Sequence, residues 1–170
     1  RQRCGRLEQA RGGTLFIDEV GIADMRVQTR LLRVLQERRF ERVGGDRTLT
    51  ANVRVVAATN VDLMAQVRTG HFREDLYYRL HVVPFELPPL RERREDVALL
   101  ARHFLRRRYT IRACRIVDAA LQMLSAYPWP GNIRELENTL ERMAPLGGAL
   151  LTAHDVPGGI VRWREQRDAE

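Results

Sequence analysis

The sequence predicts an α/β fold followed by a smaller all-helical unit, and three observations carry that expectation. Two short runs rich in apolar and β-branched residues, 14–17 and 53–58, bracket a segment in which Val27, Leu31, Val34 and Leu35 recur at helical spacing. Strand, helix and strand in that order make a parallel βαβ unit with a right-handed crossover. Pro88-Pro89 then closes a last strand-like run, and beyond it only helical patterns remain.

Taken in order, the run 14–17 reads as a strand ending at two carboxylates, Asp18 and Glu19. A helix is expected over residues 25–39, followed by a connector containing Gly44-Gly45. Residues 53–58 form the second strand and end in polar Thr59-Asn60. Asp62 caps a short helix that stops at Gly70, and "FREDLYYRL" gives another. Residues 82–87 are a third strand candidate. Glu95 and Asp96 open a helix through about residue 107, with acids at its positive end. Residues 117–126 form the next helix. After "YPWPGN", Asn132 with Glu135 three residues on resembles a capping box for a third. From Pro145 the pattern dissolves into glycines, a proline and a charged tail. The expected organisation is an α/β part over 1–89, a helical part over 90–150 and a tail over 151–170.

The 170 residues suffice for one domain with a small appendage, and 44% hydrophobic with 30% charged residues is a globular composition. No apolar run approaches the roughly 20 residues of a membrane span. Arg1, Arg3, Arg6 and Arg11 leave no room for a secretory leader. Cys4 and Cys114 have no metal-like spacing, so a reduced, cytoplasmic protein without membrane contact is expected. The net charge of +7 is spread evenly, with 15 Arg against 11 acids in residues 1–90 and 14 against 11 beyond. Arg106, Arg107 and Arg108 suit the end of a helix. Direct DNA binding by this chain is not expected. The chain opens with Arg rather than Met, so it is either processed or a piece of something longer.

Two carboxylates at a strand end suit metal-assisted hydrolysis, where one helps hold Mg²⁺ and the next polarises a water. Taken alone, "LFIDE" fits a turn with two solvated acids equally well. Thr59-Asn60 at a neighbouring strand end adds polar groups at the same sheet edge, where ligands bind in parallel sheets. Arg73 and Arg79, on a short helix, read by themselves as solvated side chains. Residues 36–45 read as a surface hairpin.

The strings "GRLEQARGGTLFIDEVG", "QTRLLRVLQERRFERVGG", "VRVVAATNVDL", "GHFREDLYYRL", "LPPLRERREDV" and "YPWPGNIRELEN" occur in this order. Together they resemble the central AAA+ domain of bacterial sigma-54-dependent transcriptional activators, from about Gly5 to Asp155. The resemblance implies a partial P-loop-type parallel sheet with flanking helices, then a helical lid. It implies that Asp18 and Glu19 are Walker B acids for ATP, Mg²⁺ and water activation. Thr59 and Asn60 match the sensor I position, and Arg134 matches the sensor II arginine. Arg73 and Arg79 match paired arginine fingers reaching into a neighbouring subunit of a ring, usually a hexamer. Guanidinium forks suit charge spread over phosphoryl oxygens. Residues 36–45 match a loop that helps move the surface gripping the sigma factor. The implied partner is the sigma-54 RNA polymerase holoenzyme, with DNA contacted only through a domain outside this sequence.

The sequence departs from that pattern at its start. The Walker A loop and the "GAFTGA" loop would lie upstream of Arg1, and no lysine occurs anywhere in the 170 residues. The chain on its own is therefore expected to be inactive. A non-catalytic protein that docks into, or poisons, rings of a full-length activator is the alternative. Lacking the P-loop strand, the chain is expected either to pair its remaining strands directly or to be only marginally stable, with the apolar faces of those strands bare.

Overall fold

The computed structural model describes residues 4–42, 47–108 and 114–169. They fall into two compact units, Arg1–Phe85 and Glu86–Glu170.

The first unit runs α1 (Arg6–Gln9), β1 (Thr14–Ile17), α2 (Met25–Glu37), β2 (Arg39–Glu41), β3 (Thr48–Thr50), β4 (Arg54–Ala57), α3 (Leu63–Arg68) and α4 (Glu74–Leu80). The two strands expected from the sequence pair with each other, parallel and in register from Thr14↔Arg54 to Ile17↔Ala57. Asp24 caps α2 by accepting the Val27 amide at 2.7 Å, and the helix stops where Arg38 turns left-handed at φ 52°. The chain then enters an antiparallel hairpin, β2 with β3, in the register Arg39↔Thr50 to Glu41↔Thr48. This is the surface hairpin expected at 36–45, although Gly44-Gly45 lie outside the described residues.

One face of the β1–β4 pair is covered. Ile17 and Ala57 pack against a small core of Val20, Leu31, Leu32, Phe72 and Leu76. The other face is bare: Phe16 and Val56, partners in register, are 60% and 38% exposed. Val27, expected on the buried stripe of α2, is half exposed. Residues 82–87 do not form the expected third strand, and Val82, Val83, Phe85 and Leu87 are all exposed. A strand forms only where a neighbour pairs its backbone groups, and among the described residues no strand pairs with 82–87.

Glu8, on α1, and Arg42, after β2, hold these segments together. Arg42 donates from Nε to Glu8 Oε1 at 2.9 Å and from Nη2 to Oε2 at 2.6 Å, a bidentate pair. The Arg42 hydrogen bonds depress the Glu8 carboxyl to about 2 from its ordinary 4.5. A depressed carboxyl contributes its stability fully above the unfolded value and loses it as pH falls through the folded one. The pair therefore survives at pH 4 and opens near pH 2. The Glu8 carboxyl is expected to titrate near pH 2 by carbon-13 NMR and to return toward 4.5 in Arg42→Ala; a parent midpoint near 4.5 would contradict the pairing.

The second unit comprises α5 (Glu95–Arg108), β5 (Arg115–Ile116), α6 (Asp118–Ala126), α7 (Asn132–Gly147), β6 (Leu150–Leu151) and α8 (Gly158–Asp168). It is helical apart from a two-residue parallel pairing of β5 with β6. Leu105, Leu124, Trp129, Leu136, Leu140 and Met143 form the centre of its core. Asn132 is not the cap of α7. It sits at φ 53°, and its Oδ1 accepts the Leu90 amide at 2.8 Å. Glu135 reaches back instead to the Gly131 amide, also at 2.8 Å.

The stretch beyond Pro145 is more ordered than its pattern suggested. Pro145 lies in the last turn of α7, where its missing N–H costs one hydrogen bond rather than the helix. The expected tail, 151–170, contains α8, attached by buried Ile160 and by an edge-on contact of Trp163 with Tyr127, ring centres 5.4 Å apart. Ile160, Val161 and Trp163 lie close together among glycines and arginines, so no amphipathic period marks the helix. Among the described residues, no helix is long and apolar enough to cross a membrane.

Candidate functional site

The site begins where β1 ends. Ile17 anchors the strand, Asp18 and Glu19 emerge exposed, and Val20 returns to the core at 2% exposure. Between those anchors the chain turns sharply. Glu19 adopts a left-handed backbone, φ 52° and ψ 43°, and its amide donates to Asp18 Oδ1 at 3.0 Å. A left-handed glutamate is uncommon and persists only where its surroundings hold it.

The parallel register brings Thr59 and Asn60 to the same sheet edge. The ladder continues past the strands, with Ala58 N–H donating to Ile17 O at 2.8 Å and Val20 N–H to Ala58 O at 2.9 Å. Just beyond, Gly21 lies directly against the turn after β4. A Cβ there would come within 2.4 Å of Val61 Cγ2 and 2.8 Å of Thr59 Oγ1, so only glycine allows this approach. The Thr59 hydroxyl is occupied locally, accepting the Val61 amide at 3.2 Å. Asn60 is exposed, and Asp62 caps α3 through the amides of Met64 and Ala65. Asp18, Glu19, Thr59 and Asn60 thus meet at the carboxyl ends of two adjacent parallel strands, the edge where such sheets bind ligands.

Carboxylate oxygens are the hard donors Mg²⁺ takes, and that ion keeps waters and phosphate oxygens for its other positions. Among the described residues, no cluster of three or more His, Cys, Asp or Glu offers a full protein cage. One or two carboxylates at a sheet edge therefore fit Mg²⁺ arriving with phosphates better than a dedicated metal centre.

The two arginines of α4 differ. Arg73, the residue before the helix, makes a bidentate pair with Asp75: Nε to Oδ1 at 3.0 Å and Nη2 to Oδ2 at 2.7 Å. The Arg73 guanidinium lowers the Asp75 carboxyl, which in turn raises Arg73. Arg79 is exposed in the last turn. Among the described residues no hydrogen bond or ion pair joins either arginine to Asp18 or Glu19. Arg134 is exposed in the first turn of α7 and belongs to the second unit.

Sequence reasoning passed over Gln28. Its side chain is fully buried, with Nε2 donating to Ala23 O at 2.8 Å and to His71 O at 2.9 Å, and Oε1 accepting the Arg73 amide at 2.9 Å. A signal was present: Gln28 lies three and four residues before Leu31 and Leu32, a polar residue on the apolar stripe.

The first unit thus presents an acidic turn at the end of a parallel strand pair, and the second unit is mostly helical. The chain belongs to the sigma-54 interaction domain family, whose model matches residues 1–86, and an AAA+ ATPase lid domain matches residues 91–170. It is thus of the AAA+ module class found in sigma-54-dependent activators. It is 58% identical over 159 residues to a Nif-specific regulatory protein of Klebsiella pneumoniae, covering 92% of this chain and 30% of that protein. It is 48% identical over 162 residues to the regulatory protein AtoC of Escherichia coli, covering 93% and 35%. The structure of NtrX from Brucella abortus in complex with ATP aligns at a TM-score of 0.85 and 39% identity, over 92% of this chain and 37% of that one. NtrX in complex with ADP aligns equally well, at 0.85 and 38% identity, over 93% and 38%. The chain spans about a third of the length of these relatives.

Proposed function

We propose that this chain is the later part of the ATPase module of a sigma-54-dependent transcriptional activator. Residues 1–89 form the carboxylate, sensor and finger part of its α/β subdomain, and residues 90–150 form the lid. Subunits assemble as a ring, a hexamer, and hydrolyse ATP to remodel the sigma-54 RNA polymerase holoenzyme at promoters. The observation that carries this is the meeting of Asp18 and Glu19 with Thr59 and Asn60 at one parallel sheet edge.

In this reading Asp18 holds the Mg²⁺ that accompanies ATP, and Glu19 accepts a proton from the attacking water. The metal, when bound, neutralises charge on the phosphate oxygens. Asn60, with Thr59, contacts the terminal phosphate. Arg73 and Arg79 reach the nucleotide of the neighbouring subunit, where guanidinium groups stabilise the charge of the transferring phosphoryl group. Arg134 contacts the nucleotide from the lid, and residues 36–45 move the surface that grips the sigma factor. The phosphate-binding loop, its lysine and the DNA-binding domain come from outside these 170 residues, which by themselves do not turn over ATP. The bare face of Phe16 and Val56 supports this, because it is a surface that helices flanking a fuller parallel sheet would cover.

A second reading rests on one fact: all 29 basic residues are arginine. A chain without a phosphate-binding lysine but with its fingers would dock into rings of a full-length activator without catalysing. One experiment separates the two. The protein at its natural length is incubated with sigma-54 holoenzyme on supercoiled promoter DNA, with ATP or a non-hydrolysable analogue. Promoter opening with ATP alone is expected. No opening with either, together with inhibition of a competent activator, would overturn the first reading in favour of the second.

A further inference from the structure

Among the described residues of the first unit, Gln28 is the buried polar side chain that joins the segment after β1 to the segment leading into α4. It rests on α2, and each of its three hydrogen bonds goes to another part of the chain. One ends at Ala23, four residues after Glu19. The other two end at His71 and Arg73, the residues that lead into α4. The amide is fully matched: its two donors meet two carbonyls and its acceptor meets an N–H, so only one orientation satisfies the site. Loss of such a buried partner leaves the facing groups unpaired, which costs more than the bond itself contributes.

The start of α4 depends on that bond. Arg73 has no side-chain cap of its own making, and its amide points away from the helix to Gln28 Oε1. Phe72 and Leu76, at 2% and 0% exposure, pin the backbone on either side. Asp75 then grips the guanidinium in a bidentate pair. A chain of contacts therefore runs from Gln28 to the Arg73 backbone, and through Asp75 to the Arg73 side chain.

We infer that Gln28 is a positioning residue for Arg73, fixing where the arginine stands when it serves the neighbouring subunit. This rests on the reading that Arg73 acts on a nucleotide held next door. The consequence is specific. A Gln28 variant keeps a sound site of its own and fails as a donor of the finger.

The test uses the protein at its natural length. Gln28→Met conserves volume while removing all three bonds; Gln28→Glu retains an acceptor for the Arg73 amide but loses both donors. For Gln28→Met, kcat for ATP is expected to fall about 10- to 100-fold, as expected for a misplaced catalytic group, with KM within about twofold. Mixing with excess Glu19→Gln subunits, which bring intact fingers and a dead site, is expected to restore its turnover. Gln28→Glu, whose carboxylate faces the Ala23 and His71 carbonyl oxygens, is expected to fall at least as far as Gln28→Met. An unchanged kcat, or a loss that Glu19→Gln subunits do not rescue, overturns the inference. If neither variant assembles rings, the bonds hold the fold rather than the finger, and the inference also fails. Arg73→Ala is measured alongside: if it keeps parental kcat or is not rescued in mixtures, the neighbour-acting reading fails, whatever Gln28 does. A parent without turnover overturns the two together.

Discussion

Replacing Glu19 by Gln is expected to cut the ATP turnover number by about a hundredfold or more while leaving ATP affinity within about twofold. The amide keeps the shape of the side chain and its place in the left-handed turn, and removes only the basic oxygen. General bases contribute roughly 10²- to 10⁴-fold, almost all of it in the transition state, so kcat falls and binding does not. The backbone of Glu19 makes the substitution clean, because its amide bond to Asp18 Oδ1 does not involve the altered group. Steady-state turnover and equilibrium binding of ATP on the natural-length protein check both parts. Parental turnover would mean Glu19 is a solvated acid on a turn, the alternative that "LFIDE" by itself leaves open.

Replacing Trp129 by Ala is expected to unfold the helical unit at growth temperature. Trp129 is 1% exposed, packs edge-on against Tyr127 at 5.1 Å, and donates from Nε1 to Leu124 O at 2.8 Å. Its backbone is left-handed, φ 49°, a conformation that costs a bulky residue about 1–3 kcal/mol and is tolerated because the ring fills the core. Alanine keeps the strain and loses the filling. Truncating a buried aromatic costs about 3–5 kcal/mol, a large part of the roughly 5–15 kcal/mol that holds a domain together. The melting temperature of the unit is expected to drop by roughly 15 °C or more, with Trp163 fluorescence as the remaining reporter. A drop of less than about 3 °C would contradict the core described here.

Much of the architecture was legible because it rests on local signals. Thr14–Ile17 and Arg54–Ala57 carry β-branched runs with polar ends, and Asp62 caps the helix that follows the second. What escaped depends on partners rather than pattern. Residues 82–87 have strand composition, yet among the described residues no strand pairs with them. Asn132 looks like a helix cap, yet Leu90, distant in sequence, claims its side chain. The helix Gly158–Asp168 is held by Ile160, Val161 and the Trp163 contact, grouped in one turn rather than spaced along a face. In the candidate site, Asp18, Glu19, Thr59 and Asn60 were found because strand ends are visible in sequence. Gln28 was not, because its value lies in three bonds to backbone groups, two of them more than forty residues away.

The claim that this chain supplies carboxylates to its own site and fingers to its neighbour's is tested most directly by mixing two dead subunits. Natural-length Glu19→Gln and Arg73→Ala proteins are each expected to form rings with little turnover. Mixed in equal amounts, they place some Arg73→Ala sites beside intact fingers, and random head-to-tail pairing predicts recovery of about a quarter of parental turnover. Turnover no greater than the sum of the separate proteins would contradict the account, placing the arginine and the carboxylate in the same subunit's site or outside the chemistry altogether.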